Sequence, residues 1–420
     1  MVHTKYLIVG SSHAGLAAAD AIRLQDKEGP LTLVSQENSL PYSPTILPYV
    51  ISGRVDPTKV FLRDAAALDR LRVRFMKGSR VTGLNTGDRT VTLATGDTLK
   101  YEKALLATGA EPKAPSIPGL QGISFYVLRT LEDALKLREA MKGVRTALVL
   151  GAGLIGMHAA ENLAKSGIKV IVVEALSQVL PGYFDEEAAN MIQRIFSAQR
   201  VDTVTGSKVL SVARSNGTAS ISLSTGKTLS VDLVLVATGV QPSVHFLQGS
   251  GVETEQGILV DERMRTSAEG IWAAGDVAQA RDFFDPAKRI SATLPNAVDQ
   301  GRIAGMDMAG DPAAKDFMGS IGLNTYKFFG HRAFVAGMSG ISRSDESFEV
   351  DQILLPSSFK YQKLVFQDHC LVGALGINSD LDPGVMVQLI RRRINLAEVK
   401  GKFAAAPVEM SRVLMSRIWR

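Results

Sequence analysis

The chain opens on the apolar run Tyr6-Leu7-Ile8-Val9, breaks into Gly10-Ser11-Ser12-His13-Ala14-Gly15, and continues as an alanine-rich stretch from Leu16 to Arg23. A second run, Leu31-Thr32-Leu33-Val34, follows and ends near Glu37. Short uninterrupted apolar runs read as strands covered on both faces, and the segment between them as a crossover helix, so this order predicts a βαβ unit with parallel strands. The order then returns. Thr146-Ala147-Leu148-Val149-Leu150 leads into Gly151-Ala152-Gly153-Leu154-Ile155-Gly156, a helix through Lys165, and a strand Lys169-Val170-Ile171-Val172-Val173 closing on Glu174. Strand-like segments at Val73-Arg74-Phe75, Thr90-Val91-Thr92-Leu93 and Ala104-Leu105-Leu106-Ala107 precede Thr108-Gly109, and Leu233-Val234-Leu235-Val236-Ala237 precedes Thr238-Gly239. The two halves repeat one design.

Glycines at such a strand-to-helix turn let the backbone turn tightly and let helix and strand approach closely, while the helix start offers amides and a positive dipole to a pyrophosphate. The second unit carries all three glycines of G-x-G-x-x-G; the first has Ser12 in the middle, a residue small enough to be tolerated. Glu37 and Glu174 end their strands where a carboxylate can hydrogen-bond a ribose diol, and at Glu174 such a charge repels a 2′-phosphate, favouring NAD(H) over NADP(H). Two units of this kind in one chain point to two dinucleotides.

Composition limits the alternatives. A chain of 420 residues exceeds what one core usually organises, so two or three domains are expected. The net charge of +5, from 47 basic and 42 acidic residues, gives no sign of nucleic-acid binding. Arg391-Arg392-Arg393, with Lys400 and Lys402, would steer an acidic redox partner, although a solvated helix face is the simpler reading. With Cys370 as the single cysteine, no internal disulfide, Cys-x-x-Cys pair or cysteine-ligated cluster can form within the chain. No basic leader or membrane-length apolar run is present, so the expected location is the cytoplasm, with no membrane partner.

Five ordered features make the chain resemble the reductases that carry FAD- and NAD(P)-binding domains side by side, a family that includes NADH oxidases, rubredoxin and ferredoxin reductases, and coenzyme A disulfide reductases. They are the Gly10 unit with Glu37, Leu106-Ala107-Thr108-Gly109-Ala110, the Gly151 unit with Glu174, Ala237-Thr238-Gly239-Val240-Gln241-Pro242, and Ile271-Trp272-Ala273-Ala274-Gly275-Asp276-Val277. The last looks like the family's second FAD motif; Asp276 can accept a hydrogen bond from a ribityl hydroxyl, or simply cap the next helix. Pro295-Asn296-Ala297 and the helix with Gln300-Gly301 look like the segment that passes beside the flavin.

The resemblance implies an α/β fold of two Rossmann-like domains and a small α+β terminal domain. The FAD domain would take residues 1–115 and 243–318, the inserted NAD domain 116–242, and a C-terminal interface domain 319–420. It implies FAD and NAD contacts, taken together, from Gly10, Ser11, Ser12, His13, Ala14, Gly15, Glu37, Val81, Thr108, Gly109, Arg129, Gly151, Gly153, Leu154, Ile155, Gly156, Glu174, Gly239, Gly275, Asp276 and Asn296. No metal site is implied.

One departure narrows the chemistry. In relatives that reduce disulfides or peroxides, a redox cysteine precedes Leu-Pro-Tyr; here Leu47-Pro48-Tyr49 places Thr45 at that position. Threonine forms neither a mixed disulfide nor a sulfenic acid. Cys370, in the apolar run His369-Cys370-Leu371-Val372-Gly373, reads as buried packing, and His13 and His158 as packing or helix-surface residues. Without a thiol relay, electrons pass directly between the flavin and an acceptor outside the chain, and no single side chain need be catalytic. The Ser-Ser-His-Ala opening and the cysteine-free Pro-Tyr-Ser-Pro-Thr segment are most similar to flavin subunits of 2-oxoacid:acceptor oxidoreductase complexes such as phenylglyoxylate dehydrogenase. The resemblance there implies iron-sulfur partners and reduction of NAD⁺. A free-standing NADH:rubredoxin or ferredoxin reductase, and an FAD-holding structural subunit without turnover, are the alternatives. For the last, Trp419 near the C-terminus is a plausible anchor on a partner.

Overall fold

Residues 2–215 and 217–418 are described by the computed structural model; Trp419 lies outside them. The chain divides into two compact units.

The first unit comprises Met1–Lys113, Arg129–Lys136 and Gly239–Ser320. Its apolar runs are buried as their patterns require: all four residues of Leu31–Val34 are covered, as are Ala104, Leu105 and Leu106. Five strands run parallel in the order Val73–Met76, Leu31–Val34, Val2–Val9, Thr98–Leu106, Ile271–Ala273. The long strand Thr98–Leu106 shares its other edge between two neighbours. Thr98–Lys100 pairs antiparallel with Thr90–Leu93, and Ala104–Leu106 pairs in parallel with Ile271–Ala273. The crossover helix His13–Gln25 packs on Leu294–Ala309, and small residues set their separation. A β-carbon at Gly301 would lie 2.2 Å from the Ala14 carbonyl oxygen, and one at Gly305 2.5 Å from that of Ala18. The chain leaves and re-enters this unit through a two-stranded antiparallel ribbon, Ala110–Pro112 with Val240–Pro242.

The second unit comprises Ala114–Leu128, Leu137–Thr238 and Ile321–Arg420. Its parallel sheet has the order Val201–Val204, Lys169–Val173, Thr146–Leu150, Leu233–Val236. An antiparallel sheet of Val209–Ser215, Thr218–Leu223 and Thr228–Val231 covers part of it. The terminal segment forms a five-stranded antiparallel sheet, Leu323–Phe328, His331–Gly337, Cys370–Ile377, Lys360–Gln367, Glu349–Leu355, followed by helices Pro383–Arg391, Lys400–Ala405 and Pro407–Ile418. This sheet packs with the second nucleotide fold in one unit. Phe328 stacks on Phe196 at 5.8 Å, and Asp185, the cap of helix Glu186–Ser197, accepts from the Tyr361 hydroxyl at 2.7 Å and the Lys363 ammonium at 2.9 Å. Among the described residues no helix is long and apolar enough to cross a membrane.

Candidate functional site

The two glycine loops share one geometry. Gly10 and Gly151 adopt φ of +117° and +105°, a region that favours glycine. Their α-carbons lie under carbonyl oxygens: an added β-carbon would be 2.0 Å from Ala107 O and 2.4 Å from Ala237 O. Gly15 and Gly156 let their helices press against the loop, since a β-carbon would stand 1.9 Å from Gly10 O and 2.0 Å from Gly151 O. The middle position is different in kind. Gly153 has φ −71° and Ser12 φ −90°, both extended, so glycine is not needed there for conformation. A β-carbon at Gly153 would meet no atom within 4 Å. Serine at position 12 therefore costs no backbone strain, and it adds a hydroxyl where the loop opens.

The helices behind these loops begin without help from the protein. Neither His13–Gln25 nor Leu154–Lys165, whose first turn holds Leu154 and Ile155, has a side-chain cap or an acidic residue in its first turn. First-turn amides without a side-chain cap suit a phosphate, so both loops fit the pyrophosphate of a dinucleotide.

In the first unit several predicted residues converge on the loop. Gly275 sits against it, a β-carbon there falling 3.2 Å from the Ala14 β-carbon, and its N–H donates to Gln300 Oε1 at 2.8 Å. Asp276 pairs with Arg129 at 3.5 Å, and the Arg129 guanidinium covers Gly109. Thr108 donates through Oγ1 to Ser243 O at 3.0 Å, and Gly239 at φ +111° starts the return of the chain. Asn296 is buried in the first turn of its helix and donates to Ser291 Oγ at 2.7 Å. Val81 stands apart: it opens the outermost strand, Val81–Asn85, opposite Leu93.

The two strand-end carboxylates are held differently. Glu174 accepts from Ala152 N–H at 2.8 Å and from Leu176 N–H at 2.9 Å, one bond per oxygen, and keeps acceptor capacity on both. Glu37 accepts from the Tyr42 hydroxyl at 2.6 Å; burial raises its pKa, opposed by the Tyr42 bond and the nearby Arg129.

Where relatives would carry a thiol, hydroxyls are present. His13 Nε2 is 2.8 Å from Ser43 Oγ, which is 2.8 Å from Thr45 Oγ1. Burial lowers the His13 pKa against the opposing pull of Asp276. Cys370 is half-buried rather than enclosed, its Sγ donating to Arg393 O at 3.3 Å, because it begins its strand at the sheet's end. His158 packs edge-on against Tyr326 at 4.5 Å, and burial pushes its pKa down to about 4, so it is neutral at ordinary pH.

Sequence reasoning missed the parts that act through tertiary contact. Tyr42 lies at no motif spacing from Glu37 or Leu131, and Gln300, although within the segment expected beside the flavin, carries no sign that it accepts from Gly275 N–H. Only the Thr130-x-x-Asp133 pattern carries a signal: Thr130 N–H donates to Asp133 Oδ2 at 2.9 Å and Asp133 N–H to Thr130 Oγ1 at 3.1 Å, a reciprocal cap.

The family model for pyridine nucleotide-disulphide oxidoreductases matches residues 4–301. The NADH-dependent phenylglyoxylate dehydrogenase subunit epsilon of Aromatoleum evansii is 49% identical over 419 residues, covering 100% of this chain and 99% of that protein. The rubredoxin-NAD(+) reductase of Pseudomonas putida is 28% identical over 72% of this chain and 80% of its own. Among solved structures, an NAD-dependent persulfide reductase from A. fulgidus superposes with a TM-score of 0.84 at 26% identity, covering 94% of this chain and 78% of that one. Glycine loops, strand-end carboxylates and these matches agree: the chain belongs to the pyridine nucleotide-disulphide oxidoreductase family and is an FAD- and NAD(H)-dependent oxidoreductase.

Proposed function

We propose that this chain is the flavin subunit of a larger oxidoreductase, coupling NAD(H) to an external iron-sulfur partner and reducing NAD⁺ with electrons from a 2-oxoacid dehydrogenase of phenylglyoxylate type. The observation that carries the reading is the end-to-end match, at 49% identity, to a protein described as a subunit of an NADH-dependent phenylglyoxylate dehydrogenase. Thr45 at the family's thiol position supports a route that does not pass through sulfur.

In this reading the first unit holds FAD. The amides after Ser12 take the pyrophosphate, Glu37 the adenosine ribose, Asp276 with Arg129 the ribityl and phosphate end, and Asn296 the flavin side; Gly10, Ser11, His13, Ala14, Gly15, Val81, Thr108 and Gly109 line the rest. The second unit holds NAD(H), with Gly151, Gly153, Leu154, Ile155 and Gly156 at the pyrophosphate and Glu174 at the ribose diol. FAD supplies the exchange between two-electron transfer with a nicotinamide and one-electron transfer with an iron-sulfur centre. The side chains bind and orient, and residues 319–420 provide the surface for assembly.

The test is purification of the native protein under gentle conditions. Co-purification with iron-sulfur and thiamine-dependent subunits, with NAD⁺ reduction on adding phenylglyoxylate, is expected; a lone chain that reduces rubredoxin or ferredoxin at full rate would overturn the assignment in favour of a free-standing reductase.

A further inference from the structure

We infer that Tyr42 is a positioning residue for the adenosine end of FAD: its hydroxyl fixes the Glu37 carboxylate and ties it to the start of helix Leu131–Ala140. The inference rests on Glu37 as the ribose acceptor.

The direction of the bonds is determined by chemistry. The Leu131 N–H, 2.8 Å from the Tyr42 oxygen, can only donate, so the phenol's one proton is left for Glu37 Oε2 at 2.6 Å. Tyr42 is itself held in place, being 5% exposed and bridged through its backbone to Phe61. The segment it grips is the one that carries Arg129, paired with Asp276, and Asp133, whose carboxylate accepts from Arg129 N–H at 3.2 Å and Thr130 N–H at 2.9 Å. One hydroxyl thus joins the acceptor proposed for the adenosine ribose to the guanidinium proposed for the ribityl and phosphate end. The second glycine unit holds Glu174 with backbone amides of its own loop and its own strand end instead, so Tyr42 takes over work that the backbone does there.

The groups facing Glu37 are Tyr42 from its own loop, and the Leu131 N–H, Arg129 and Asp133 from the helix start. Burial favours the protonated carboxyl, and the Tyr42 donor favours the ionised form that accepts from a diol. Removing the hydroxyl therefore shifts protonation of Glu37 to higher pH and, with it, the loss of FAD affinity.

The experiment is a double-mutant cycle read by quenching of FAD fluorescence on titration into apoprotein, between pH ~5 and ~8. In the wild-type background, Y42F is expected to weaken FAD about tenfold near neutral pH and to move the acid loss of binding to higher pH. E37Q should weaken FAD and flatten the pH profile, and Y42F added to E37Q should cost less than about twofold. Equal loss in both backgrounds with an unmoved pH profile, or a lower unfolding midpoint of the apoprotein with unchanged FAD affinity, would overturn the role of Tyr42. If E37Q alone leaves affinity and pH profile untouched, the ribose assignment of Glu37 fails first.

Discussion

Glu174 reaches back across the turn it follows and accepts a hydrogen bond from Ala152 N–H at 2.8 Å, so the carboxylate that ends the second strand also braces the loop that begins the helix. Glu174→Ala removes both the ribose acceptor and the brace. NADH affinity should fall about tenfold or more, while NADPH loses less, so the preference between them narrows. Dissociation constants for both nucleotides check this; an unchanged ratio would remove the discriminating role of Glu174.

Two glycines of the same loop should separate folding from binding. A β-carbon at position 156 would collide with Gly151 O, whereas one at 153 meets nothing within 4 Å. Gly156→Ala should therefore destabilise the unit by about 3 kcal/mol. Gly153→Leu, with a side chain larger than the serine that the first loop accommodates at this position, should leave the unfolding midpoint nearly unchanged yet weaken NADH at least about tenfold, because it extends into the space where a pyrophosphate would sit. Thermal unfolding and NADH titration of the two variants should give opposite orders of severity.

Asp307 offers a test of the first unit's core. Its side chain is 5% exposed, accepts two bonds from Arg265 at 2.6 and 2.7 Å, and takes the Trp272 indole N–H at 2.9 Å. Burial acts to raise its pKa, but the bonds from Arg265 and Trp272 outweigh it and the carboxyl ends below its ordinary value. A depressed folded pKa adds stability above the unfolded carboxyl pKa, and this is lost as pH falls through the folded value. Asp307→Asn should cost about 2 kcal/mol near neutral pH, with the gap from wild type closing as the medium becomes acidic below pH ~4. Denaturant unfolding at several pH values measures the difference.

What could be read from the sequence follows from what local pattern encodes. The apolar runs and glycine spacings are local, and they placed the parallel strands of both α/β folds and the turns that lead into their first helices. The hold of Tyr42 on Glu37 and Leu131 was not legible, because 42 and 131 meet only after the chain has folded. The same is true of residues 129–136, which lie with the first unit although their place in the chain suggests the inserted domain. The half-exposure of Cys370 depends on where its strand begins, a boundary that an apolar run does not fix.

The central claim is that electrons pass between the flavin and the partner outside the chain with no thiol in between. Anaerobic titration of the FAD-loaded protein with NADH, followed by flavin absorbance, tests it directly. A flavin alone takes up one two-electron equivalent, and a flavin with a redox-active cysteine pair or sulfenic acid takes up two. Full bleaching at one NADH per FAD, unchanged in Cys370→Ser, is the predicted result; uptake of a second equivalent that disappears in Cys370→Ser would contradict it.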